Sequence, residues 1–102
     1  MEFVAVTACP SGVAHTYMAA QGLKDAAKKY GCGIHVETQG SLGVENELTP
    51  EEIAAADAVI LTNDIGIKGE ERFAGKPIVR VGTEACISKG GSIIKTLIAK
   101  LG

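Results

Sequence analysis

The residues with the most evident chemistry stand together near the start of the chain, in "CPSGVAHT", Cys9 to Thr16. A Val-rich run precedes them and an alanine-rich pattern follows, so the cysteine sits at a bend between a strand and a helix. A thiol there is chemically unusual. The first N–H groups of a helix lack intrahelical partners, and the helix dipole adds partial positive charge at that end. Such a bend is a candidate anion site. The same field favours thiolate over thiol, which lowers the pKa of the sulfur and provides the form that attacks. Cys9 is therefore the candidate nucleophile. Pro10 fixes φ and brings no donor, Gly12 admits a backbone conformation that a side chain would oppose, and Ser11 and Thr16 offer hydroxyls to an anion's oxygens. The stretch Pro10, Ser11, Gly12, Val13, Ala14, His15 and Thr16 reads as a cup for a phosphoryl group, with the Cys9 sulfur at its base.

The spacing invites comparison with the C-x5-R-[ST] signature of cysteine-dependent phosphatases. This chain has C-x5-H-T: Cys9 and Thr16 match, but His15 stands where the arginine would be, so the planar two-pronged clamp on phosphate is missing. A looser grip suits passing a phosphoryl group on rather than releasing it to water. Two alternatives stay open on these residues. A small cysteine phosphatase would hydrolyse aryl phosphates rapidly, and a non-catalytic anion- or partner-binding domain would leave Cys9 with an ordinary thiol pKa.

The elements that must position this loop can be read along the chain. "FVAVTAC" (3–9) is a short apolar run that suits a strand buried on both faces. Ala19, Leu23, Ala26 and Tyr30 recur at helical spacing, on a helix ending at Gly31. "GIHVETQG" alternates and predicts a second strand at 34–38. Thr49, Pro50 and Glu52 form the N-cap, first position and capping-box partner of a short helix. "AVILTND" (58–64) is a third strand and "KPIVRVG" (76–82) a fourth. "GSIIKTLIAKLG" closes the chain as a helix with Ile94, Leu97, Ile98 and Leu101 in one stripe. Strands alternating with helices predict a parallel sheet covered on both faces by right-handed crossovers. The expected fold class is α/β: a single-domain, three-layer α/β/α sandwich over residues 1–102 with a four-stranded parallel sheet, Rossmann-like, in the order 2-1-3-4. In such sheets the working groups collect beyond the carboxyl ends of the strands. Here those ends are Cys9, Thr38-Gln39, Thr62-Asn63-Asp64 and Val81-Gly82.

Composition narrows the function further. The chain has 102 residues, 46% hydrophobic, with 12 acidic and 10 basic residues and no basic run, which argues against nucleic acid as a partner. No apolar run reaches the ~20 residues of a membrane span, and the start of the chain lacks a signal-peptide pattern, so direct membrane insertion is not expected and the cytoplasm is. Three widely spaced cysteines and two histidines support neither a disulfide framework nor a zinc site.

"CPSGVAHTYMAAQGL", "VETQGSLGVENELTPEEIAAADAVILTND" and "RFAGKP" together resemble the fructose-family IIB component (EIIB, type 2) of the bacterial phosphoenolpyruvate-dependent sugar phosphotransferase system, across about nine-tenths of the chain. The resemblance implies that Cys9 accepts a phosphoryl group from a phosphohistidine on a IIA component, holds it as phosphocysteine, and passes it to a sugar bound by the membrane IIC component. It also implies that His15 donates a hydrogen bond to the phosphate, that no metal or organic cofactor is needed, and that the protein associates peripherally with the inner membrane through IIC. Ser11 replaces the threonine common at its position and keeps the hydroxyl; "IGIKGEERF" is the part that matches least. Many family members are fused to IIA and IIC domains, and Met1 two residues before the first strand favours a free-standing form here.

Other residues invite plainer readings. Cys32 and Cys86 lie outside any Gly-rich strand-to-helix turn and are expected to be packing or surface thiols. His35 belongs to an alternating strand and stays outside the site. Glu37, Thr38 and Gln39 end a strand on the functional edge, where their side chains could serve the site or tie down the following loop. Asp64 with Arg72 suggests a catalytic pair, but a carboxylate beside a phosphoryl group repels it, so bracing or docking is the expected use of Asp64. Tyr17 and Met18 are candidates for an exposed rim that a partner could touch.

Overall fold

The structure is a computed structural model that describes the backbone of residues 1–8, 13–40, 43–64 and 66–101. The strands are β1 (Glu2–Thr7), β2 (Gly33–Gly40), β3 (Gly43–Glu45), β4 (Ala58–Thr62) and β5 (Ile78–Val81). The helices are α1 (Val13–Lys29), α2 (Pro50–Ala55), α3 (Thr83–Ser88) and α4 (Gly90–Leu101), with a 3-10 turn at Glu70–Phe73. They form one sheet in the order β3-β2-β1-β4-β5. β1 pairs in parallel with β2 and with β4, and β4 with β5.

The expected order of the parallel strands holds, but among the described residues the sheet has five strands, not four. β3 is the addition, paired antiparallel to the end of β2 with Thr38 opposite Glu45 and Gly40 opposite Gly43. Its three residues are all exposed, so no apolar alternation announces it; backbone pairing forms it, and Gly43, at φ +95°, accepts a conformation that side chains resist.

Alternation along the strands builds the two cores. Phe3, Ala5, Val36, Ala58 and Ile60 face α1, α3 and α4, where they meet Leu23, Cys86, Ile94 and Leu97. Val4, Val6, Ala8, Val59 and Leu61 face the other way, onto Leu48, Ile53, Ile67 and Phe73 around α2 and the 3-10 turn. Three layers result, as expected. The α2 start is the predicted capping box: Thr49 Oγ1 accepts from the Glu52 N–H at 3.1 Å, and Glu52 Oε1 accepts from the Thr49 N–H at 2.9 Å.

Two stripes differ at their ends. Ala19, Leu23 and Ala26 are buried as the spacing requires, but Tyr30 is exposed, because α1 ends at Lys29 and the chain turns at Gly31 with φ +70°. On α4, Ile94 and Leu97 are buried and Ile98 packs against the core, whereas Leu101, the last residue of the helix, is exposed. α3, with only six residues, is too short to show a helical period.

Glycine permits the close seat of α1 on the C-terminal helices. A Cβ on Gly22 would stand 2.4 Å from the carbonyl oxygen of Cys86, and one on Gly90 would stand 2.8 Å from the carbonyl oxygen of Gly22. These are backbone contacts that a rotamer change cannot relieve. Gly22→Ala is expected to destabilise the protein by about 1–3 kcal/mol, the usual range for overpacking a tight core. Lys24→Ala, on the exposed face of the same helix, should stay within about 0.5 kcal/mol of the parent. Urea unfolding of the two variants checks this.

Candidate functional site

The parallel ladder brings the carboxyl ends of β2, β1, β4 and β5 to one edge. Threonines of β1, β2 and β4 project there toward the layer that contains α1. Thr7, Thr38 and Thr62 are all buried, as are Thr16 on α1 and Thr83 at the start of α3. Thr7 Oγ1 donates to the Thr16 carbonyl at 3.2 Å, which ties the start of α1 to the end of β1. Thr62 Oγ1 accepts from the Ala8 N–H at 2.9 Å and donates to the Ala8 carbonyl at 3.0 Å. Among the described residues, Thr38 Oγ1 has no hydrogen-bond partner.

Asp64 braces two elements. Its Oδ1 accepts from both the N–H and the hydroxyl of Thr83 at 2.7 Å, tying the end of β4 to the start of α3. The Thr83 hydroxyl and N–H hold its carboxyl below the usual range. Arg72 is not its partner. The Arg72 guanidinium instead grips Glu37 with both prongs, at 2.8 and 3.0 Å, and its Nε donates to the Gly69 carbonyl at 2.7 Å.

Glu37 is the hub of this network, with a side chain only 1% exposed on the sheet face away from α1. Besides Arg72 it accepts from the Leu48 N–H at 3.0 Å and from Gln39 Nε2 at 2.8 Å. Gln39 in turn holds the backbone of Lys68 through both its amide atoms. The end of β2 is thereby fastened to the loop before α2 and to the 3-10 turn. Burial works to raise the Glu37 carboxyl, but hydrogen bonds from Arg72, Gln39 and Leu48, with the Arg72 charge, outweigh it and hold the group below its ordinary value of 4.5.

Against this geometry stand the comparisons with known proteins. A family model described as "PTS system, Lactose/Cellobiose specific IIB subunit" matches residues 4–96. The PTS system fructose-like EIIB component 2 of Escherichia coli K12 is 60% identical over 100 residues, which is 98% of this chain and 94% of that protein. The chain belongs to the fructose-like branch of the IIB family. A solved domain of the fructose-specific IIABC component from Borrelia burgdorferi superposes with a TM-score of 0.89 at 52% identity, covering 96% of this chain and 93% of that one. The PTS system fructose-specific EIIB'BC component of Xanthomonas campestris is 48% identical over 101 residues, 99% of this chain and 17% of that protein. The protein is thus a phosphotransfer component of a sugar phosphotransferase system.

The expected site residues of this IIB chain fall into two groups. Cys9, Pro10, Ser11 and Gly12 lie outside the described residues, between Ala8 and the first helical residue, Val13. Ala14 and His15 are exposed on the first turn of α1, and Thr16 is buried beneath it. Tyr17 and Met18 are exposed on the same helix, and the Tyr17 hydroxyl hydrogen-bonds to Glu45 of β3. Their exposure fits the expected rim.

The remaining thiols and histidine stand apart. Burial, with the Asp64 charge adding to it, pushes the Cys86 thiol up to about 11, which leaves it unreactive near neutrality. Cys32 is half-buried, its thiol 3.7 Å from the Tyr30 carbonyl. His35 is exposed and pairs with Glu52 at 2.9 Å. Two supports went unrecognised in the sequence. Glu37 and Gln39 tie down neighbouring loops, one of the two uses their strand-end position offered, but the sequence set Arg72 beside Asp64 and not beside Glu37, and Thr83 showed only as a threonine after Gly82.

The network makes stability depend on acid. Because the Glu37 pKa is lowered by folding, its contribution is present above about pH 4.5 and is lost as the pH falls through the lowered value. Glu37→Gln is expected to cost on the order of 2 kcal/mol at pH 7, less than a fully buried pair because Arg72 is one-quarter exposed. It should also flatten the fall in stability between pH 5 and 3. Urea unfolding of parent and variant across that range checks both.

Proposed function

We propose that residues 1–102 act as one EIIB domain of the fructose-like type, a phosphoryl relay in which Cys9 is the covalent carrier. The observation that carries this reading is the junction itself. β1, the central strand, ends at Thr7 and α1 begins at Val13, so the stretch holding Cys9 joins a strand end to the N-terminus of a 17-residue helix. Unpaired N–H groups and the helix dipole at such an end favour a thiolate and the phosphoryl group it accepts. The match to the IIB family supports the same use.

Two in-line steps complete the relay. In the first, the P–N bond of a phosphohistidine on the IIA donor breaks as a P–S bond to the Cys9 thiolate forms, and the imidazole leaves with the electron pair. In the second, a hydroxyl of the sugar held by IIC attacks phosphorus and gives up its proton, while the P–S bond breaks and the thiolate is restored. The phosphoryl group arrives activated, so positioning and charge stabilisation supply the catalysis, and no cofactor enters either step. His15, exposed on the first turn of α1, donates a hydrogen bond to the phosphoryl oxygens. The relatives named EIIB'BC and EIIBC support IIC as the acceptor-side partner, which would bring this chain to the inner face of the membrane. No helix among the described residues is long and apolar enough to cross it.

Incubation with a phosphorylated IIA donor should raise the mass of the chain by one phosphoryl group. That gain should disappear in Cys9→Ala and fall in rate by on the order of 10-fold or more in His15→Ala. Intact-mass spectrometry over time reads both, and full labelling of Cys9→Ala would refute the assignment.

A further inference from the structure

Ala8 is the last described residue before Cys9, and β1 ends one residue earlier, at Thr7. Beyond the ladder, both backbone polar groups of Ala8 are taken by one side chain: its N–H donates to Thr62 Oγ1 at 2.9 Å and its carbonyl accepts from the same hydroxyl at 3.0 Å. Both residues are 1% exposed. Thr62 is itself fixed, since β4 pairs it with Val81 and the Asn63 N–H continues the ladder to the Val81 carbonyl at 2.8 Å. A second hydroxyl, Thr83 Oγ1, stands 3.4 Å from the Ala8 carbonyl while donating to Asp64 at 2.7 Å.

Ala8 is bonded to Cys9 in the chain, so holding both polar groups of Ala8 fixes the point from which the chain leaves β1 toward the proposed nucleophile. The geometry points to Thr62 as a positioning residue for phosphoryl transfer: its hydroxyl clasps Ala8, the residue that anchors the Cys9 stretch to the end of β1. This rests on the proposed use of Cys9 and adds to it a residue on a different strand that never touches the phosphoryl group. In-line transfer is sensitive to such placement, and a misplacement of about 1 Å can cost on the order of 100-fold.

The test compares Thr62→Val, which keeps the shape and removes the hydroxyl, with Thr62→Ser, which keeps the hydroxyl. Phosphoryl uptake from the IIA donor is measured below the melting transitions of both. Thr62→Val is expected to lower kcat by on the order of 10- to 100-fold with KM for the donor unchanged, and Thr62→Ser to restore the parent kcat. A parent-like kcat in folded Thr62→Val, or an equal loss in both variants, overturns the proposal. If Thr62→Val does not fold, amide exchange in the parent decides: the Ala8 N–H should be protected like its β1 neighbours, and exchange as fast as an open loop overturns the clasp. If the parent takes up no phosphoryl group, the relay reading itself fails. The clasp is then judged by iodoacetamide labelling of Cys9 against Cys32 in the same chain, a ratio that should fall in Thr62→Val and not in Thr62→Ser. An unchanged ratio counts against it.

Discussion

β1 has no free side. Its two edges are taken by the ladders to β2 and β4, and from Phe3 to Ala8 every side chain is buried, alternately against the α1 layer and the α2 layer. A strand confined in this way cannot shift register without moving its side chains to the wrong face of the sheet. The point at which the chain leaves the sheet is therefore fixed, and so is the side on which α1 begins. Alanine at 19, 20, 26 and 27 and glycine at 22 let that helix lie close against the sheet and the C-terminal helices. The remaining strand ends are then arranged around a set exit.

The supports around that exit divide between two faces. On the α1 side, buried threonine hydroxyls hold backbone: Thr7 holds the start of α1 and Thr62 holds Ala8. On the other side, Glu37 gathers Arg72, Gln39 and the Leu48 N–H, and so ties β2 to the 3-10 turn and to the loop before α2. A carboxylate this deeply buried would be costly alone, and the bidentate guanidinium with two further donors offsets its desolvation. In the proposed relay, the reacting group lies between two hydrogen-bonded ends, Ala8 and the start of α1, which suits chemistry that depends on placement.

Much of this was legible in the sequence because burial leaves a pattern. The Val-rich first strand, the Ala19–Leu23–Ala26 spacing and the Thr49–Glu52 capping box each have a local physical cause, and each element stands where that cause places it. β3 and α3 were not legible, since three exposed residues and six helical ones carry no readable period. Leu101 and Tyr30 continued a stripe in sequence that the core does not continue in space. For the site, the cysteine bend and its histidine could be picked out by residue type and spacing. The partners of Arg72 and Asp64 could not, because a sequence shows which charges exist but not which strand ends meet. Asp64 bonds Thr83 across 19 residues, and Arg72 reaches Glu37 across 35.

The most direct test of the relay is phosphorus NMR on the chain after phosphorylation by its IIA donor. The resonance of a sulfur-bound phosphoryl group, absent from Cys9→Ser, is the predicted result. The resonance of a nitrogen-bound phosphoryl group, retained in Cys9→Ser and lost in His15→Ala, would contradict it.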